Sequence, residues 1–89
     1  MVSTEKFLNM CHKAVLQYYS NQDKTCEDTH VVWYSKSIQN HKCTMIGVYP
    51  DNIYFEFTYN GDKNEVYMDV YEKIDKIVGT LEWHIFLEK

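Results

Sequence analysis

Ile53-Tyr54-Phe55-Glu56-Phe57-Thr58-Tyr59-Asn60-Gly61-Asp62-Lys63-Asn64-Glu65-Val66-Tyr67-Met68-Asp69-Val70 is the stretch that decides the fold. Ile53, Phe55, Phe57 and Tyr59 alternate with Tyr54, Glu56 and Thr58, which is the period of a half-buried β-strand. Asn60 to Lys63 is a hairpin signal, because Asn-Gly tolerates the positive φ that tight turns need. Val66, Met68 and Val70 continue the apolar side. Parity places them with Ile53, Phe55 and Phe57 whether the loop holds two residues or four. A two-residue loop would set Glu56 opposite Glu65, and like charges opposed across strands are destabilising. The expected register is therefore the four-residue one, with Glu56 facing Tyr67 and Tyr54 facing Asp69.

Toward the N-terminus, Lys42 to Val48 and His30 to Lys36 read as two further strands, rich in β-branched and aromatic residues. Gln39-Asn40 marks the turn between them, and Tyr49-Pro50-Asp51-Asn52 the turn into Ile53. Before these, Phe7, Cys11, Ala14, Val15 and Tyr18 recur at helical spacing from Thr4 to Tyr19. Ser3 or Thr4 can cap this helix, Glu5 suits the positive end of its dipole, and Lys6, Lys13 and Gln17 face away. Toward the C-terminus, Asp69 to Val78 reads as either a strand end or a short helix, broken by Gly79. Leu81, Trp83, Ile85 and Leu87 then alternate as a last strand. The expected fold is α+β: an N-terminal helix packed on an antiparallel meander of four or five strands, one domain spanning 1–89.

Composition narrows the function. The chain has 89 residues, 45% hydrophobic and 16% aromatic, with nine Lys and no Arg against thirteen Asp plus Glu, for a net charge of −4. Such a chain is too apolar for disorder, has no run long enough to span a membrane, and opens without a signal peptide; a cytoplasmic location is expected. An acidic, Arg-free chain is poorly suited to bind nucleic acid and better suited to a basic protein surface. Eight tyrosines exceed what a core of this size needs. Tyr54, Glu56, Glu65, Tyr67, Asp69 and Tyr71 form the candidate partner-binding face, where tyrosines supply contact area and carboxylates steer association.

Three Cys and four His raise the question of a metal. Cys26, His30, His41 and Cys43 are the candidate ligands of a structural zinc, with Cys11 as an alternate. His41 and Cys43 lie two apart on a strand and point to one side. In a simple hairpin, His30 and Cys43 fall at opposite ends, so the two pairs converge only if residues 35–42 fold back as a long loop. No nucleophile elbow, HExxH or phosphate loop is present, so no enzyme is expected.

Two stretches carry a resemblance. Val31-Val32-Trp33-Tyr34-Ser35-Lys36-Ser37-Ile38-Gln39-Asn40 is similar to V-V-W-x-x-K-[ST]-[IL]-Q-N, and Thr58 to Lys73 is similar to T-Y-N-G-D-K-x-E-x-Y-x-D-x-Y-x-K. Both belong to an uncharacterised family of small proteins from phages and prophages of Gram-positive bacteria. That family has polar residues where this chain has Cys26, His30, His41 and Cys43, so zinc here would be an elaboration of this member. The chain also looks like the small acidic phage inhibitors of type II CRISPR nucleases, one group of which carries zinc. That resemblance implies an anti-CRISPR protein, acting in the cytoplasm of an infected or lysogenic host. It would bind type II-A Cas9 through the acidic face and hinder target-DNA loading. The alternative expectation is a metal-free phage modulator of another host enzyme.

Overall fold

The structure is a computed structural model that describes residues 2–74 and 77–86, with side chains described for residues 2–72. A helix, α1 (Thr4–Ser20), is followed by five strands: β1 (Thr29–Ser37), β2 (Asn40–Gly47), β3 (Ile53–Asn60), β4 (Glu65–Ile74) and β5 (Ile77–Phe86). They form one open antiparallel sheet in the order β1-β2-β3-β4-β5. This is the expected α+β meander, with α1 lying over β1, β2 and β3.

Ser3 is the residue that caps α1. Its Oγ accepts the N–H of Lys6 at 3.1 Å, which satisfies one of the donors left open at a helix start. Phe7, Cys11, Val15, Tyr18 and Tyr19 are buried along one side of the helix, while Lys6, Lys13 and Gln17 are exposed. The helix stripe meets His41, Cys43 and Met45 of β2 and Phe55, Phe57 and Tyr59 of β3; Val66, Met68 and Val70 of β4 are buried on the same side. Each fully buried Phe or Met in this layer is worth roughly 1.5–3 kcal/mol of transfer free energy.

Three expectations are corrected. The loop between β3 and β4 does hold four residues, but they are Gly61 to Asn64, since Asn60 stays in β3 opposite Glu65. The Asn60 Oδ1 accepts the N–H of Asp62 at 3.1 Å and of Lys63 at 3.4 Å, a local turn that competes with strand pairing one residue later than expected. The positive φ falls on Asn64 (53°), not on Gly61. The register therefore moves by two, and Glu56 faces Asp69 while Tyr54 faces Tyr71.

The segment from Asp69 is strand to Ile74, and β5 begins at Ile77. Gly79 does not break the chain there, because its backbone pairs with Glu72 inside the ladder. The end of the last strand at Leu87 lies outside the described residues. The first hairpin turns at Ile38-Gln39, with Ser37 opposite Asn40; Ile38 takes a positive φ of 55°. Finally, β1 carries a bulge between Val31 and Trp33, which leaves Val32 without a pairing partner on β2.

Candidate functional site

The face of the sheet turned away from α1 gathers all six of the expected partner-binding residues. Tyr54 and Glu56 on β3, and Glu65, Tyr67, Asp69 and Tyr71 on β4, are half-buried and share that face through the observed register. Tyr54 and Tyr71 stack across the strands, with ring centroids 5.0 Å apart and planes 12° from parallel. The Tyr67 hydroxyl donates to the Glu65 carboxylate, two residues away on the same side. That hydrogen bond, followed by burial, raises the Tyr67 hydroxyl above the ordinary tyrosine value.

The carboxylates are not kept apart, as the expected register would have had it. Glu56 stands opposite Asp69, and Asp69 opposite the backbone position of Glu82. Lys42, on the other side of Glu56, reaches its carboxylate at 3.3 Å. Lys42 thus partly neutralises Glu56 beside the facing carboxylate of Asp69. On a wet surface a pair of this kind contributes at most about 1 kcal/mol, and so does the opposition of like charges beside it.

Two residues of this face were not among the expected ones. Trp33 lies opposite Thr44, which lies opposite Glu56, so the indole joins the same row; it is 50% exposed. Ile46, opposite His30, is exposed beside it. The signal for Trp33 in the sequence is the run Val31-Val32-Trp33, which has more consecutive apolar residues than one buried face of an edge strand can use.

The Cys and His donors fall in separate places. His41 and Cys43 share the inner face of β2, as their spacing predicts. His41 is buried, and both ring nitrogens have partners: Nε2 donates to the Val2 carbonyl at 3.0 Å, and Nδ1 shares a hydrogen bond with the Tyr34 hydroxyl at 2.7 Å. The Tyr34 hydroxyl also meets Thr4 Oγ1 at 2.8 Å. A carbonyl can only accept, so Nε2 is the nitrogen that donates in this contact. Phe7 stacks on the ring at 5.0 Å.

Cys43 faces Cys11 across the helix–sheet interface, with sulfurs 3.8 Å apart and both side chains fully buried. Burial pushes the Cys11 thiol far above its ordinary range, and the contact with Cys43 adds to this. Cys26 packs instead beside Gly47, where an added Cβ would lie 2.8 Å from its sulfur, and its Sγ donates to the Asp28 carbonyl. His30 is exposed, at the far end of β2 from His41. The hairpin between them is tight, so residues 35–42 do not fold back as a loop. Among the described residues no three His, Cys, Asp or Glu side chains converge to hold a metal ion. Zinc at Cys26, His30, His41 and Cys43 would require these side chains to leave their present partners.

At the other end of the sheet the two hairpin tips clasp each other. The Gly61 N–H donates to Asn40 Oδ1 at 2.9 Å, and the Gln39 side-chain amide donates to Asp62. Gly61 comes so close that a Cβ on it would lie 2.4 Å from the Gln39 carbonyl oxygen. The glycine is needed there for space, not for its φ.

The model of a family of unknown function (DUF6275) matches residues 8–81. The chain belongs to this family. No curated protein and no solved structure matches it. The DUF6275 match runs from Leu8 in α1 to Leu81 in β5 and so takes in the clasped tips, the acidic face and the buried Cys11, His41 and Cys43. None of the described helices is long and apolar enough to cross a membrane.

Proposed function

We propose that this DUF6275 member is a non-enzymatic binding protein whose acidic, tyrosine-bearing sheet face docks on a positively charged, nucleic-acid-binding surface of another protein. The observation that carries this reading is the register of β3 and β4. It sets Glu56, Asp69 and Glu65 on one face with Tyr54, Tyr67 and Tyr71, and Trp33 at its margin. Aromatic anchors beside carboxylates suit an interface in which the rings supply affinity and the charges supply on-rate.

The resemblance to small acidic phage inhibitors supplies the most specific form of the proposal: an anti-CRISPR protein of phage origin that binds type II Cas9 in the host cytoplasm. Cas9 holds its nucleic acids in positively charged channels and reads the PAM with arginines. A domain with a net charge of −4 and no Arg can cover such a surface and hinder target-DNA loading. The test is binding of the purified chain to Cas9, with and without guide RNA, together with a DNA-loading assay. Binding that weakens with salt and blocks loading is expected. A chain that leaves Cas9 unbound and loading intact overturns the Cas9 form.

The second reading is a modulator of a different host enzyme, acting without metal. The separation of Cys26 and His30 from His41 and Cys43 favours the metal-free form for either partner. Association with purified host nucleic-acid enzymes, compared with Cas9, separates the two readings.

A further inference from the structure

Asn60-Gly61 is the one Asn-Gly pair in the chain, and it sits in the clasp between the two hairpin tips. An Asn-Gly pair is chemically unstable. The glycine nitrogen can attack the side-chain amide carbon of the asparagine, because no Cβ on the glycine stands in the way. Here each group that must move is held. The Gly61 N–H donates to Asn40 Oδ1 at 2.9 Å. The Asn60 Oδ1 accepts from the Asp62 N–H at 3.1 Å and from the Lys63 N–H at 3.4 Å. Asn60 is the last residue of β3 and pairs with Glu65, so its backbone is extended. Closing a five-membered ring needs the Gly61 nitrogen to swing into the plane of the Asn60 side chain. That rotation about the Asn60 Cα–C bond breaks the bond to Asn40. All of these bonds lie at the surface, where water can enter the reaction.

We propose that Asn60 is a site of spontaneous deamidation and that Asn40 is the residue that holds it in check. When the tips part, the Gly61 nitrogen gives its proton to water or hydroxide and bonds to Asn60 Cγ. The Cγ–Nδ2 bond breaks, the side-chain nitrogen takes up a proton, and ammonia leaves. The succinimide that remains adds water at either carbonyl and opens to aspartate or isoaspartate. No electrons pass to or from another reagent. Either product adds a carboxylate to a tip that already holds Asp62 and Glu65. The isoaspartate also lengthens the main chain by a methylene at the position paired with Glu65, which displaces the end of the β3–β4 ladder. The modification is thus a slow, irreversible release of the tips, and its rate is set by how often they open. The other asparagines are followed by Met10, Gln22, His41, Ile53 and Glu65, whose side chains hinder ring closure.

The test is made on the full chain alone and so does not depend on the partner reading. Intact-mass spectrometry at mildly alkaline pH follows the exchange of NH2 for OH, and peptide mapping locates it. In the folded chain the loss at Asn60 should be slower than in urea by about tenfold or more. Asn40→Ala, at an exposed position, should keep its circular dichroism and deamidate about fivefold faster than the parent, the gain in open population from losing one hydrogen bond. Asn40→Asp, which keeps an acceptor oxygen, should stay close to the parent. A folded chain that deamidates as fast as in urea, or an Asn40→Ala rate equal to the parent's, overturns the proposal. So does first loss at a different asparagine. If Asn40→Ala loses its fold, Asp62→Ala is read in its place, since it releases the Gln39 half of the clasp. Faster loss at Asn60 then supports the proposal, and an unchanged rate overturns it.

Discussion

Gly61 donates its backbone N–H to the side-chain oxygen of Asn40, and this bond fastens the tip of the second hairpin to the tip of the first. The residues that carry the two sequence resemblances, Gln39-Asn40 and Asn60-Gly61-Asp62, therefore meet in space.

Gly61→Ala should destabilise the fold by about 2 kcal/mol, the size usual for forced overpacking. The new methyl group would press on the Gln39 carbonyl, a backbone atom that cannot swing aside. A urea titration at neutral pH checks this, and an unshifted midpoint would show that the tips separate freely.

Ile38→Gly should raise stability. Ile38 is β-branched, sits at a positive φ of 55°, and is almost fully exposed, so its strain is offset by little packing. Relief of the left-handed conformation, less the added freedom of Gly in the unfolded chain, leaves a gain of about 0.5–1 kcal/mol. The readout is the urea midpoint, compared with Ile38→Ala, which keeps the Cβ and should gain less.

Stability should fall on the alkaline side. Burial and the hydrogen bond to Asp51 raise the Tyr19 hydroxyl above its ordinary value of 10.0, and burial raises the Cys11 thiol above 9.0. An acid whose folded-state pKa is raised keeps its proton in the native state after the unfolded chain has lost it. The unfolded state then binds fewer protons, and stability drops as pH rises. The decline should begin near pH 9 with Cys11 and steepen near pH 10 with Tyr19, at up to roughly 1.4 kcal/mol per pH unit for each group. Unfolding free energies measured across this range should be flatter in Cys11→Ala. A flat profile in the unaltered chain would contradict the assignment.

Glu56→Gln should separate binding from folding. It removes the ion pair with Lys42 and the opposition to Asp69 together, terms of similar size and opposite sign, so stability should stay within about 0.5 kcal/mol. Association with a basic partner such as Cas9 should slow, with a shallower salt dependence. Equal on-rates for the two proteins would remove the acidic row from the binding face.

Zinc content decides the metal question directly. Far less than one zinc per purified chain is expected, together with a Cys26→Ser variant that folds like the parent. One zinc per chain and an unfolded Cys26→Ser would instead show that Cys26, His30, His41 and Cys43 rearrange around the ion.

Much of this was legible in the sequence because periodicity reports faces well. The alternation from Ile53 to Val70 placed Phe55, Phe57, Met68 and Val70 inside and Tyr54, Glu56, Tyr67 and Asp69 outside, and that holds in any register of the same parity. Which residue faces which was not legible. Like-charge avoidance favoured Glu56 opposite Tyr67, but Asn60 turned the chain through its own side chain one residue later, a local hydrogen bond that outweighed a weak, solvent-screened repulsion. The burial of His41 was hidden for a related reason. The place of His41 depends on Val2 and Phe7, partners distant in sequence that no short window contains.

The row formed by Glu56, Asp69 and the position of Glu82 has one member on each of three adjacent strands. Its pitch is therefore the spacing between hydrogen-bonded strands, about 4.8 Å, and is a property of the backbone rather than of the side chains. Substitution can remove the charge of Glu56 or of Asp69, but the interval between their positions stays that of the sheet.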